Sequence, residues 1–228
     1  MKVFLLTITA IMLSLAPAIS QDSLSLKEKE ISYNNSINTR AEKIVATLQI
    51  ANVATAAKVK NIIASEYKNL NSVYTLRDLQ IKTAKEQSDN NKETLNKQLT
   101  TFRDEATAKT DALHKSFLSQ LSQHLTAQQI DQVKDGLTYN VVHVTYNGYN
   151  QMIPNLTEEQ KKQIMVWLVE AREHSMDAES SEKKHAWFGK YKGRINNYLS
   201  AAGYDLRKEG EEWQVRIKEA ADKKKTTN

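Results

Sequence analysis

Val59-Lys60-Asn61-Ile62-Ile63-Ala64-Ser65-Glu66-Tyr67-Lys68-Asn69-Leu70-Asn71-Ser72-Val73-Tyr74 places apolar side chains at 59, 62, 63, 67, 70 and 74. Steps of three and four bring them onto one stripe of a helix. Nothing nearby breaks that helix, because every glycine lies at or after Gly136 and Pro154 is the only proline beyond Pro17. Ser88-Asp89-Asn90-Asn91 reads as a polar reversal. After it Leu95, Leu99, Phe102, Ala106, Leu113, Phe117 and Leu121 repeat the seam. Neither stripe can be buried alone, so the two helices should pair antiparallel. Upstream, Ile44, Val45 and Leu48 read as a short amphipathic segment, opened by Thr39 with Glu42 three residues on as a capping box. Residues 36–124 are expected to be mostly helix.

Toward the N-terminus, Lys2 precedes an apolar run from Val3 to Leu15, and Ala16-Pro17-Ala18-Ile19-Ser20 supplies small residues at the positions a signal peptidase reads. Residues 1–20 are expected to be a cleaved signal peptide, cut between Ser20 and Gln21. The run is shorter than the ~20 residues a bilayer span needs. The mature chain is then one domain over 21–228, without a membrane span, periplasmic or secreted.

Composition narrows the chemistry. With no cysteine there is no disulfide framework, thiolate metal site or cysteine nucleophile. A net charge of +5 is too mild to point to nucleic acid, and export argues against that partner. No cofactor is implied, and no Gly-rich phosphate loop, Gly-x-Ser-x-Gly or His-Glu-x-x-His names a reaction.

Toward the C-terminus aromatic residues crowd together. Val141-Val142-His143-Val144-Thr145-Tyr146 has β-type composition and runs into the turn signal Asn147-Gly148. One strand cannot make a sheet, so an irregular loop is expected near 138–156. Helices should follow at about 157–176, 182–202 and 206–222. The expected fold class is therefore all-α, a helical bundle with a long antiparallel pair and that loop.

The segment His185 to Tyr198 carries the densest chemistry. On a helical wheel at ~100° per residue, Phe188, Tyr191, Ile195, Leu199 and Ala202 face inward. Trp187, Arg194 and Tyr198 run along one margin, and His185, Lys192 and Asn196 along the other. A half-packed aromatic margin with donors beside it suits a sugar ring. Lys190, Lys192 and Arg194 favour a uronate over a neutral hexose. The candidate ligand-binding set is Tyr146, His185, Trp187, Lys190, Tyr191, Lys192, Arg194, Asn197 and Tyr198. A plain amphipathic helix with solvated lysines would read the same way. Glu170, His174 and Asp177 share one helix face, a spacing open to a metal, an acid–base pair or simply a charged surface.

Two resemblances stand beside these readings. Leu125-Thr126-Ala127-Gln128-Gln129 and Leu156-Thr157-Glu158-Glu159-Gln160 resemble the Leu-Thr-x-x-Gln signature of Spy/CpxP-like periplasmic chaperones, which would imply a holdase. The same letters also make a helix-starting capping box. A longer set of blocks runs through Val144-Thr145-Tyr146-Asn147-Gly148-Tyr149, Pro154-Asn155-Leu156-Thr157-Glu158-Glu159-Gln160 and Trp167-Leu168-Val169-Glu170-Ala171-Arg172-Glu173-His174, and ends at Ala201-Ala202-Gly203-Tyr204-Asp205-Leu206. With the His185 segment it resembles the exported bacterial family of domain of unknown function 3826, described as sugar-binding. That resemblance implies a carbohydrate-associated protein and carries over no catalytic residues. The expected function is binding of an acidic glycan; a holdase and a carbohydrate-active enzyme of unnamed reaction are the alternatives. Glu170 and Asp177 are the best carboxylates for the last.

Overall fold

A chain free of helix breakers as far as Asp135 folds accordingly. The computed structural model describes residues 19–88 and 91–226, so the expected leader lies outside the described residues except for its last two positions. Eight helices are present among them: α1 (Ile19–Thr47), α2 (Val53–Glu86), α3 (Lys92–Ser122), α4 (Ala127–Leu137), α5 (Val141–Met152), α6 (Glu158–Met176), α7 (Ser181–Ala201) and α8 (Leu206–Thr226). No strand occurs among the described residues, and none of their helices is long and apolar enough to cross a membrane. The fold is an all-α bundle.

Most helix starts are side-chain caps of the expected type. Asn52, Asn91 and Ser180 accept the backbone N–H three residues on. Thr126 with Gln129, and Thr157 with Gln160, form complete capping boxes, so both Leu-Thr-x-x-Gln copies start helices. Each glutamine also reaches outside its own helix. Gln129 donates to the Leu48 carbonyl at 2.9 Å, and Gln160 accepts from the Tyr204 hydroxyl at 3.0 Å.

Two expected elements take a different form. Thr39 does not begin a helix. It lies within α1 and its hydroxyl donates to the Asn35 carbonyl, because nothing upstream stops the helix. Nor is 138–156 an irregular loop, since residues 141–152 form α5. Val142, Tyr149 and Ile153 fall on one helical face and are buried against α6 and α7. That burial, at ~1.5–3 kcal/mol for each large side chain, outweighs the weak β preference of valine. Only 138–140 and 153–157 stay non-helical, and Tyr139 and Asn140 are both left-handed at φ 57°.

α2 and α3 pair antiparallel, as the seam requires. Their lower ends join the first core, where Val59 and Ile63 meet Phe117, Leu121, Ile44, Val133 and Met176. The second core gathers Val142, Ile164, Leu168, Phe188, Ile195 and Leu199 from α5, α6 and α7. α6 belongs to both, through Met176 in one and Ile164 and Leu168 in the other. Ala202, expected on the inner face, is instead the exposed C-cap of α7.

Candidate functional site

α6 runs antiparallel to α7, so residues along one edge of each meet in order. Trp167 is edge-on to Tyr198, with ring centroids 5.2 Å apart. The Arg194 guanidinium lies 4.6 Å over the Trp167 ring and 3.6 Å from the Glu170 carboxylate. His174 stacks on Trp187 at 4.6 Å and lies 6.2 Å from Tyr191. The Lys190 ammonium stands 5.1 Å over the Trp187 ring. Burial and the adjacent Glu170 carboxylate push the Tyr191 phenol up to about 12. The result is a half-buried aromatic rank with a cation beside each indole.

This rank unites Trp187, Lys190, Tyr191, Arg194 and Tyr198 of the expected set. Tyr191 is buried, so it supports the rank more than it presents a face. The others lie elsewhere, His185 and Lys192 on the wheel's second margin. His185 stacks on Tyr139 at 5.6 Å. On that same margin the Lys192 carbonyl and the Asn196 side chain accept from the Tyr149 hydroxyl. Asn197 is exposed on α7. Tyr146, on α5, interacts electrostatically with Lys161, about a third of a turn around α6 from Trp167. Glu170, His174 and Asp177 do not converge, since each faces a different partner. Among the described residues no group of three His, Cys, Asp or Glu side chains could hold a metal.

Beyond Trp187 and His174 the rank opens into a cavity of about 430 Å³, whose wall also includes Tyr74, His114, Lys115 and Asp177. Here α2 and α3 meet the end of α6. His114 Nδ1 lies 2.6 Å from Asp177 Oδ2, and the Tyr74 hydroxyl donates to the Asp177 carbonyl at 2.7 Å. Behind them Glu66 is 5% exposed, and its Oε1, like Asp177 Oδ1, is buried without a hydrogen-bond partner. Burial, then the Asp177 charge, lifts the Glu66 carboxyl to about 7. Burial lowers Lys184 to about 8, although its ammonium donates to the Leu137 and Met176 carbonyls. The hydrogen bond to Asp177 raises His114 above the ordinary histidine value.

Sequence reading passed over this cluster, yet it carried a signal. Glu66 stands at i+7 from Val59, i+3 from Ile63 and i−4 from Leu70, in the middle of the buried stripe. Lys184 stands likewise at i−4 from Phe188 and i−7 from Tyr191. A charge at a seam position must find partners or change protonation state.

On the side of Tyr139 a second cleft of about 640 Å³ lies between α1, α2, α4 and α5, lined by Arg40, Lys43, Tyr67, Tyr139 and His143. No curated protein matches the chain. The family described as protein of unknown function (DUF3826) matches residues 34–219, from within α1 into α8, and takes in both cores, the aromatic rank and the His114 cavity. The chain belongs to that family.

Proposed function

We propose that the protein is an exported, carbohydrate-associated protein that binds an acidic glycan along the α6–α7 rank. The observation that carries this reading is the alignment of Trp167, Trp187 and Tyr198 with Arg194 and Lys190 on one half-buried edge. Aromatic faces suit the apolar side of sugar rings, and mobile cations beside them suit carboxylates. Arg194 is about half exposed and only loosely paired with Glu170, so it can turn to a ligand. The leader-like residues 1–20 support export. The holdase alternative rests on two pentapeptides that already serve as helix caps and ties between helices.

Isothermal titration of the 21–228 chain with uronate and neutral oligosaccharides tests the reading. Uronate oligomers should bind and neutral ones should bind more weakly. Trp187→Ala with Arg194→Ala should weaken binding at least tenfold, about 1.4 kcal/mol. Unchanged affinity in that folded double variant overturns the site. Loss on Arg40→Ala with Lys43→Ala instead would move the site to the second cleft.

A further inference from the structure

The cavity at the end of the rank holds more than binding needs. Among the described residues, the one hydrogen bond of the His114 ring runs from Nδ1 to Asp177. Nδ1 as the donor fixes the tautomer that leaves Nε2 as a base. Two buried carboxylate oxygens have no hydrogen-bond partner, Asp177 Oδ1 within that pair and Glu66 Oε1 behind it. Polar groups kept unsatisfied in a core are costly, and they concentrate where chemistry needs them. Lys115, on the same wall, makes no ion pair among the described residues and is free to meet an anion.

We propose that this cavity is catalytic, with His114 as the base that cleaves a 4-linked uronate glycan by β-elimination. The inference rests on the acidic-glycan reading. With a uronate ring against Trp187 and its carboxylate on Lys115, His114 Nε2 takes the proton from C5, the carbon next to the carboxylate. The C–H electron pair becomes the C4–C5 double bond. The C4–O bond breaks, and its pair leaves on the glycosidic oxygen, which takes back the proton from His114. No water is consumed and no oxidant is required. Asp177 is a positioning residue, holding the ring and its tautomer.

The alternatives are less well provided for. Hydrolysis by the usual glycosidase route needs two carboxyl groups facing the scissile bond. Of the carboxylates on the cavity wall, Asp177 is held by His114 at 2.6 Å and Glu173 by Lys134 at 2.7 Å and Arg172 at 3.2 Å, which leaves Asp111 without a second carboxyl group to work with, and Glu66 is buried out of reach. Among the described residues no hydroxyl is hydrogen-bonded to His114, so a hydroxyl nucleophile is not set up there.

The test follows ultraviolet absorbance of the unsaturated product, with the 21–228 chain acting on polygalacturonate, alginate and glucuronan, and a neutral glucan as control. The wild type should release unsaturated ends from a uronate polymer. His114→Gln should lower kcat at least a hundredfold with KM unchanged. Asp177→Asn should lower kcat less and move the rising limb of the pH profile downward, because Asp177 is what holds the His114 proton; Glu173, Lys134 and Glu66 act on the same ring, and Asp111, Lys115 and His174 share the cavity wall with it. Binding of uronates by the wild type without turnover overturns this inference and leaves the glycan reading intact. Neither binding nor turnover overturns both. Turnover undiminished in folded His114→Gln removes the residue from the chemistry.

Discussion

Glu66 shows what one misplaced charge does. Its carboxyl titrates near 7 in the fold against an ordinary 4.5, so between those values the folded chain binds more protons than the unfolded one. Stability must then fall as pH rises through that window. Raised His114 adds to the fall in the same direction, its contribution being lost as pH climbs past its folded value. Lys184 works the other way, regaining stability between about 8 and 10.5. Glu66→Gln should therefore flatten the decline and stabilise the protein at pH 8 by about 1–3 kcal/mol, measured from urea midpoints at pH 5 and pH 8. An unchanged slope would mean that Glu66 is not the group responsible. Arg172 is a different case. It is 5% exposed and joins Asp131, Asp135 and Glu173, so Arg172→Ala should cost roughly 3 kcal/mol by leaving the half-buried Asp135 without its cation.

At the scale of elements, sequence periodicity was sufficient wherever a helix had one long stripe. α2, α3, α6 and α7 follow from spacing and caps alone. α5 does not, because its valines and the Asn147-Gly148 pair describe local preference, while its helix is decided by Val142 and Tyr149 packing on distant residues. The same division holds for the site. The two margins of α7 were readable from one wheel. Trp167 opposite Tyr198, and His114 opposite Asp177, depend on which helices become neighbours, and no spacing within one helix encodes that. α4 offers a direct test of close packing. A Cβ at Gly136 would come within 2.7 Å of the Ile44 side chain. Gly136→Ala should push α4 from α1 at a cost of about 1–3 kcal/mol, seen as a lower thermal midpoint with unchanged helix content.

At the scale of the whole molecule, α6 is shared by both cores and the Lys184 ammonium ties the ends of α4 and α6. The two halves should therefore unfold together. Leu168→Ala in one core and Phe117→Leu in the other should each shift one common calorimetric transition, by roughly 2–5 and 1 kcal/mol. Two separate transitions in either variant would show the cores to be independent. The α2–α3 pair extends past this shared body. α2 alone is about 50 Å long at 1.5 Å per residue, and none of its residues after Leu70 is buried. Among the described residues its last side-chain tie to the rest is Arg77 to Glu179, beyond which Leu79 and Phe102 border a cavity between the two helices. The facing ends of the two helices, Glu86 of α2 and Lys92 of α3, thus lie beyond the contacts that tie the pair to the shared body. The chain should tolerate being split there, with separately expressed fragments ending after α2 and beginning at α3 reassembling into a two-piece protein that still folds.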